Sequence, residues 1–173
     1  PVVAFLPIWG VLYAQSLSEA PSTELSELAS GAALYSSNCS ACHGGTGGGG
    51  AGRPLANGEV LKTFPNIANQ LAYVRGGDVG INNGKYGDPN REGGQHGGGY
   101  NGAFMPAFAN LTDKELLEVV RHERETLSGE KDGFKVDSAG ARLWPSGTPM
   151  LDSSGKLLWE DGTPMFTADG KLS

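Results

Sequence analysis

The sequence predicts an all-α core, preceded by a hydrophobic helix and followed by an arm of β-hairpins. Three observations predict it: a helical run ending in Cys-x-x-Cys-His, a methionine just ahead of a capped helix, and a 15-residue repeat near the C-terminal end. The expected boundaries are 1–17 for the hydrophobic helix, 18–27 for a linker, 28–130 for the core and 131–173 for the arm.

The hydrophobic helix comes first. Positions 1–17, PVVAFLPIWGVLYAQSL, carry no charge, and their apolar residues run round every face. At about 1.5 Å per residue this length falls slightly short of a hydrocarbon core of roughly 30 Å. It reads as the outer end of a transmembrane helix in a lipid bilayer, with its start expected before Pro1. Pro7 would kink it, and Trp9 and Tyr13 suit the membrane interface. A signal-peptide hydrophobic region, with Ala14 near a cleavage point, is the alternative, but no charged segment precedes it.

The core must be small. Of 173 residues only 38% are hydrophobic and 28 are Gly, poor material for a large interior, so a buried group that is not protein would supply apolar bulk. The net charge is −6, and no basic patch breaks it, which argues against a nucleic-acid partner. Cys39 and Cys42 are the two cysteines, both in one motif. A disulfide framework and a four-cysteine zinc site are therefore excluded.

The segment SELASGAALYSSNCSACHGG predicts a helix that delivers Cys39, Cys42 and His43 to one spot. Ala29, Ala32, Ala33 and Tyr35 are expected to form its apolar side, and Gly31 allows close approach by another helix. On a helical turn this motif offers two sulfurs to the vinyl groups of a haem and an imidazole to its iron. A thioredoxin-like pair would need a preceding strand. A phosphate loop would need Gly-Lys-Ser/Thr, absent from GGTGGGGAGRPL. A zinc site would need a second ligand pair, for which His96 and His122 are poorly arranged.

Met105 and Pro106 stand just before Thr112, which with Glu115 forms a capping box for a helix expected to reach about Leu127. A methionine on such a loop can offer its thioether to iron. Met150 and Met165 lie in the arm, which leaves Met105 as the sixth ligand, with His96 in the Gly-rich GGQHGGGY as the alternative. The span 76–102 is longer and richer in Gly than a compact core needs; loops of this length are uncommon unless they bind something or are disordered.

The arm carries LWPSGTPMLDSSGKL at 143–157, followed directly by LWEDGTPMFTADGKL at 158–172. Each unit alternates a short apolar piece with a turn signal, which reads as successive β-hairpins docked on another surface, with a disordered extension as the alternative.

Over about residues 28–130 the chain resembles the class I cytochromes c, the small monohaem electron carriers. The residues that carry the likeness are the helix with Gly31 and Tyr35, CSACH, GRPLANG, ANQLAYVRGG and MPAFANLTDKELLEVVRHER. The resemblance implies one covalent haem c, with Cys39 and Cys42 as its attachment points and His43 and Met105 as the axial iron ligands. Tyr35, Pro54, Leu55, Tyr73 and Phe104 are expected around the haem. A carbonyl near Pro54 is expected to accept the His43 N–H. His122 stands where the family often has an aromatic residue, and is read as a core histidine.

A haem with both axial positions filled moves electrons, so no substrate-turnover site is expected. With the anchor, the expectation is a tethered subunit of a respiratory complex on the periplasmic or outer face of the membrane. It would pass electrons from a quinol-oxidising complex to a terminal oxidase. The alternatives are a haem enzyme or gas sensor with a labile sixth ligand, and a structural adaptor held by anchor and arm.

Overall fold

The computed structural model describes residues 23–131 and 135–173, so the hydrophobic stretch at 1–17 lies outside the described residues. Among the described residues no helix is long and apolar enough to cross a membrane. The helices are α1 (Thr23–Asn38), α2 (Ser40–His43), α3 (Glu59–Thr63), α4 (Ile67–Gly76) and α5 (Asp113–Arg121). A π-helical stretch, His122–Leu127, continues α5. Short 3-10 turns follow α4 at Asp78–Gly80 and Asn82–Gly84, and the strands form two antiparallel two-residue pairs: β1 (Lys85–Tyr86) with β2 (His96–Gly97), and β3 (Lys135–Val136) with β4 (Arg142–Leu143).

Helix α1 starts at Thr23, inside the segment read as a linker. Its buried side is Gly31 and Tyr35, continued at the same four-residue spacing by Cys39 just past its end, whereas Ala29 and Ala33 are exposed. Alanine is a weak guide to facing because its methyl group gains little from burial; the four-residue spacing of Gly31, Tyr35 and Cys39 keeps them on one side of the helix. At Gly31 the two helix backbones meet. A Cβ added there would lie 2.2 Å from the Glu118 carbonyl oxygen, so only glycine permits this crossing. Ser30 Oγ donates to Glu118 Oε2 (2.6 Å), and Glu27 pairs with the fully buried Arg121. One turn further, the Tyr35 ring packs against buried His122 at 5.3 Å between centroids. His122 is thus a core residue, and burial lowers the pKa of its imidazole from the usual histidine value.

The capping box at the start of α5 is formed: Glu115 N donates to Thr112 Oγ1 (3.2 Å) and Thr112 N donates to Glu115 Oε2 (2.8 Å). The helix expected to reach Leu127 does so, but its last turn widens to the π form, with Ser128 N donating to Glu123 O. Two outside ties hold that turn. Ser128 Oγ donates to Leu55 O, and Arg124 reaches Phe64 O and Pro65 O at the α3–α4 turn.

The repeat resolves into a finer unit. Five turns close alike, each with glycine at positive φ: Gly140, Gly147, Gly155, Gly162 and Gly170, alternately seven and eight residues apart. The Gly140 turn joins β3 to β4, and the other four are bridged by single β-pairs such as Leu151 with Leu157 and Leu158 with Pro164, not by long strands. Successive rungs are joined by Met150 N to Arg142 O, Leu158 N to Met150 O and Met165 N to Leu157 O. Trp144, Met150, Leu157 and Met165 turn inward and join one apolar core with Leu71, Leu116 and Val120. A fully buried side chain of this size contributes about 1.5–3 kcal/mol. Asp113, at the first turn of α5, pins the seam: it pairs with Arg75 of α4 and accepts Leu157 N at 2.9 Å. Arg75 in turn lies 4.8 Å from the Phe166 ring centroid.

Candidate functional site

The short helix α2 and the loop after it form one wall of a cleft of about 950 Å³, its open mouth included. Cys39, Cys42 and His43 all line it. The chain folds back after His43 through backbone bonds such as Gly49 N to His43 O and Gly52 N to Cys42 O. This return places Arg53 O 2.7 Å from His43 Nδ1. An Nδ1–H donated to that carbonyl leaves the Nε2 lone pair free for a ligand role. Gly52 lies flat against the ring: a Cβ there would sit 2.8–3.0 Å from Cε1, Nδ1 and Nε2. Burial, followed by the nearby Glu123 and Cys42, pushes the Cys39 thiol up to about 12, while the Cys42 side is exposed.

Met105 lines the same cleft. Its loop is held by Asp78, just beyond α4. Asp78 Oδ2 accepts from Met105 N (2.9 Å) and Gly99 N (2.8 Å), and Oδ1 accepts from Tyr73 Oη (2.7 Å). Burial works to raise this carboxyl, but the three donated bonds prevail and hold it below the usual carboxylate range. Gly77 makes the close approach possible: a Cβ there would fall 2.5–2.6 Å from Pro106 C, Ala107 N and Met105 O, and its φ is +58°.

The Gly-rich span folds over one side of the cleft as β1 and β2. Tyr86 of β1 stacks on Tyr73 at 4.1 Å and near Phe64 at 5.9 Å, with His96 of β2 tilted against it at 5.6 Å. Burial, then the Arg53 and Arg91 charges, lower the His96 pKa.

Of the residues singled out from the sequence, Cys39, Cys42, His43, Pro54, Leu55, Tyr73, Phe104 and Met105 all line this one cleft. Phe104 does so at the rim, 76% exposed. Tyr35 is not among the lining residues; it lies in the helix core and donates Oη–H to Gly44 O, bracing the loop behind the motif. Val60, Phe64, Phe108, Gln70 and Glu123 line the cleft without a sequence signal of their own.

The residues present fit a haem. The walls are mostly apolar and aromatic, the missing side chain at Gly52 leaves room for the His43 imidazole, and two cysteines line the same cleft. Arg53 Nε is buried without a hydrogen-bond partner among the described residues, and Arg53 lines the cleft. A buried cationic donor there suits the carboxylate substituents a haem carries. No curated protein matches the chain. The cytochrome c family model matches residues 28–122, just over half of the sequence. With that match on the CSACH motif and its cleft, the chain belongs to the cytochrome c family, the haem-based electron-transfer proteins that hold haem c covalently.

Proposed function

We propose that this protein is a one-electron carrier in which Cys39 and Cys42 bind haem c by thioethers and His43 and Met105 are its two axial ligands. The observation that carries this reading is the convergence of those four side chains on one cleft. When bound, the haem supplies reversible one-electron exchange, and a thioether ligand with apolar burial favours the reduced form. The chain's own residues do the rest. Arg53 O fixes the His43 tautomer and Asp78 fixes the Met105 loop, which holds both ligand side chains in place. Apolar Val60, Phe64 and Phe108 exclude water. Optical redox titration tests the assignment: one reversible one-electron wave is expected, with a weak thioether-to-ferric band that Met105→Ala removes. A band that survives Met105→Ala would overturn the ligand assignment.

The wider role is a tethered subunit of a membrane respiratory complex, on the periplasmic or outer face. There it takes electrons from a quinol-oxidising complex and gives them to a terminal oxidase. The uncharged run at 1–17 supports the tether, which would raise local concentration at the partner. Size exclusion of the detergent-solubilised native membrane fraction tests this: the haem-stained chain is expected in a large complex. Its elution alone at monomer size would remove the reading.

A further inference from the structure

Glu123 is a carboxyl in the haem cleft that ligation does not use. It sits on the π turn, lines the cleft, and is 3% exposed. Among the described residues, the hydrogen bond it accepts comes from the neutral amide of Gln70, Nε2 to Oε2 at 2.8 Å. The guanidinium beside it in sequence is spent elsewhere: Arg124 binds Glu130, Phe64 O, Pro65 O and Gln70 Oε1. Gln70 is thereby oriented with its NH₂ toward Glu123.

Among the described residues no cation is ion-paired with Glu123: Arg53 lines the same cleft and adds to its positive charge, and buried His122 on the same turn has a lowered pKa. From α1 the titratable neighbours are Tyr35 and Cys39, and both are raised partly by the Glu123 charge. Cys39 loses its proton-bearing form once it is a thioether. From α4 comes Gln70. From α3 come Val60 and Thr63 at the cleft, while Glu59 and Lys62 pair with each other and Glu59 also binds Arg91. On the neighbouring turns Arg121 is paired with Glu27 and Glu125. An ionised carboxyl so placed gains most from whatever positive charge the cleft holds.

We propose that Glu123 is a redox-linked proton site: the protein binds a proton there when it takes up an electron and releases it on oxidation. One electron comes from an external one-electron donor. One proton comes from solvent and forms an O–H bond on the Glu123 carboxylate, and no bond in the protein breaks. The driving force is the loss of one positive charge in the cleft on reduction, which weakens the hold on the carboxylate. Burial already pushes this carboxyl up to about 7, with the Gln70 bond opposing it, so the coupling falls near neutral pH. This rests on the electron-carrier reading and adds proton uptake to it.

The test is an optical redox titration of the holoprotein and of Glu123→Gln over roughly pH 5 to 9. For the native protein, the reduced-to-oxidised ratio at fixed ambient potential is expected to fall by up to tenfold per pH unit across neutrality, equivalent to about 59 mV for one electron. Glu123→Gln is expected to lose that component and to stay at the acid-side potential. Haem carboxylates titrate in both proteins, so the difference isolates Glu123. A second readout uses the native protein: the reduced-minus-oxidised infrared spectrum is expected to gain a protonated-carboxyl band that shifts in D₂O. Coincident pH profiles of the two proteins, or a spectrum without that band, would overturn the proposal and leave one-electron transfer standing. Failure of the native protein to take up an electron reversibly would overturn the carrier reading itself.

Discussion

Asp78 and Met105 are bonded in both directions: Asp78 N donates to Met105 O at 3.0 Å, and Met105 N donates to Asp78 Oδ2 at 2.9 Å. The methionine loop is therefore clamped to the end of α4 through main chain and side chain together. Asp78→Ala leaves Met105 N, Gly99 N and Tyr73 Oη without their acceptor, at a cost of about 1–3 kcal/mol. The expected outcome is a weaker thioether-to-ferric band and a lower midpoint potential, measured optically. An unchanged band would mean that the loop is held by something other than this carboxylate.

Gly52→Ala is expected to displace His43. The new methyl carbon would meet the ring at 2.8–3.0 Å, and the imidazole, fixed by Arg53 O, has little freedom to yield. Reduced haem retention, or a high-spin fraction in the ferric absorption spectrum, checks this.

Gly31→Ala strikes the backbone itself, since the Glu118 carbonyl oxygen lies 2.2 Å from the added carbon. Overpacking of this kind costs about 1–3 kcal/mol and more where backbone must move. Chemical denaturation should show a loss at or above the upper figure. A change below about 0.5 kcal/mol, the range of ordinary surface substitutions, would mean that α1 and α5 do not cross so closely.

Glu123 gives stability a defined pH dependence. Its carboxyl ionises near 4.5 when exposed and at about 7 in the fold, so the folded state holds the proton longer than the unfolded chain. Its contribution is complete below about 4.5 and is lost as pH rises to about 7. At about 1.4 kcal/mol per pH unit, the reduced protein, in which the carboxyl keeps its proton, should lose on the order of 3 kcal/mol relative to Glu123→Gln across this window. Parallel stability profiles of the two proteins would contradict it.

Met150→Ala should destabilise by about 2–5 kcal/mol, as loss of a fully buried Met in a shared core does. The haem spectrum should be unchanged, because Met150 is not among the cleft-lining residues. A Met150→Ala protein as stable as the parent would show that the arm is not part of the core.

By itself the sequence determined what local chemistry dictates: the Cys39–Cys42–His43 motif, the Thr112–Glu115 cap, Met105 ahead of it, and the 15-residue period. Each depends on residues a few positions apart, so pattern alone suffices. Tertiary structure decided what depends on distant segments meeting. Ala29 and Ala33 face solvent because the crossing at Gly31 sets the rotation of α1. Tyr35 braces a loop instead of lining the cleft, because its ring is taken by His122 and its hydroxyl by Gly44 O. The arm's inward Met and Leu residues found their surface only when α4 and α5 came together around Arg75 and Asp113. Glu123, a charge among charges in RHERET, became a buried group in the haem cleft. Burial is a property of everything packed around a residue, and a local pattern carries no record of it.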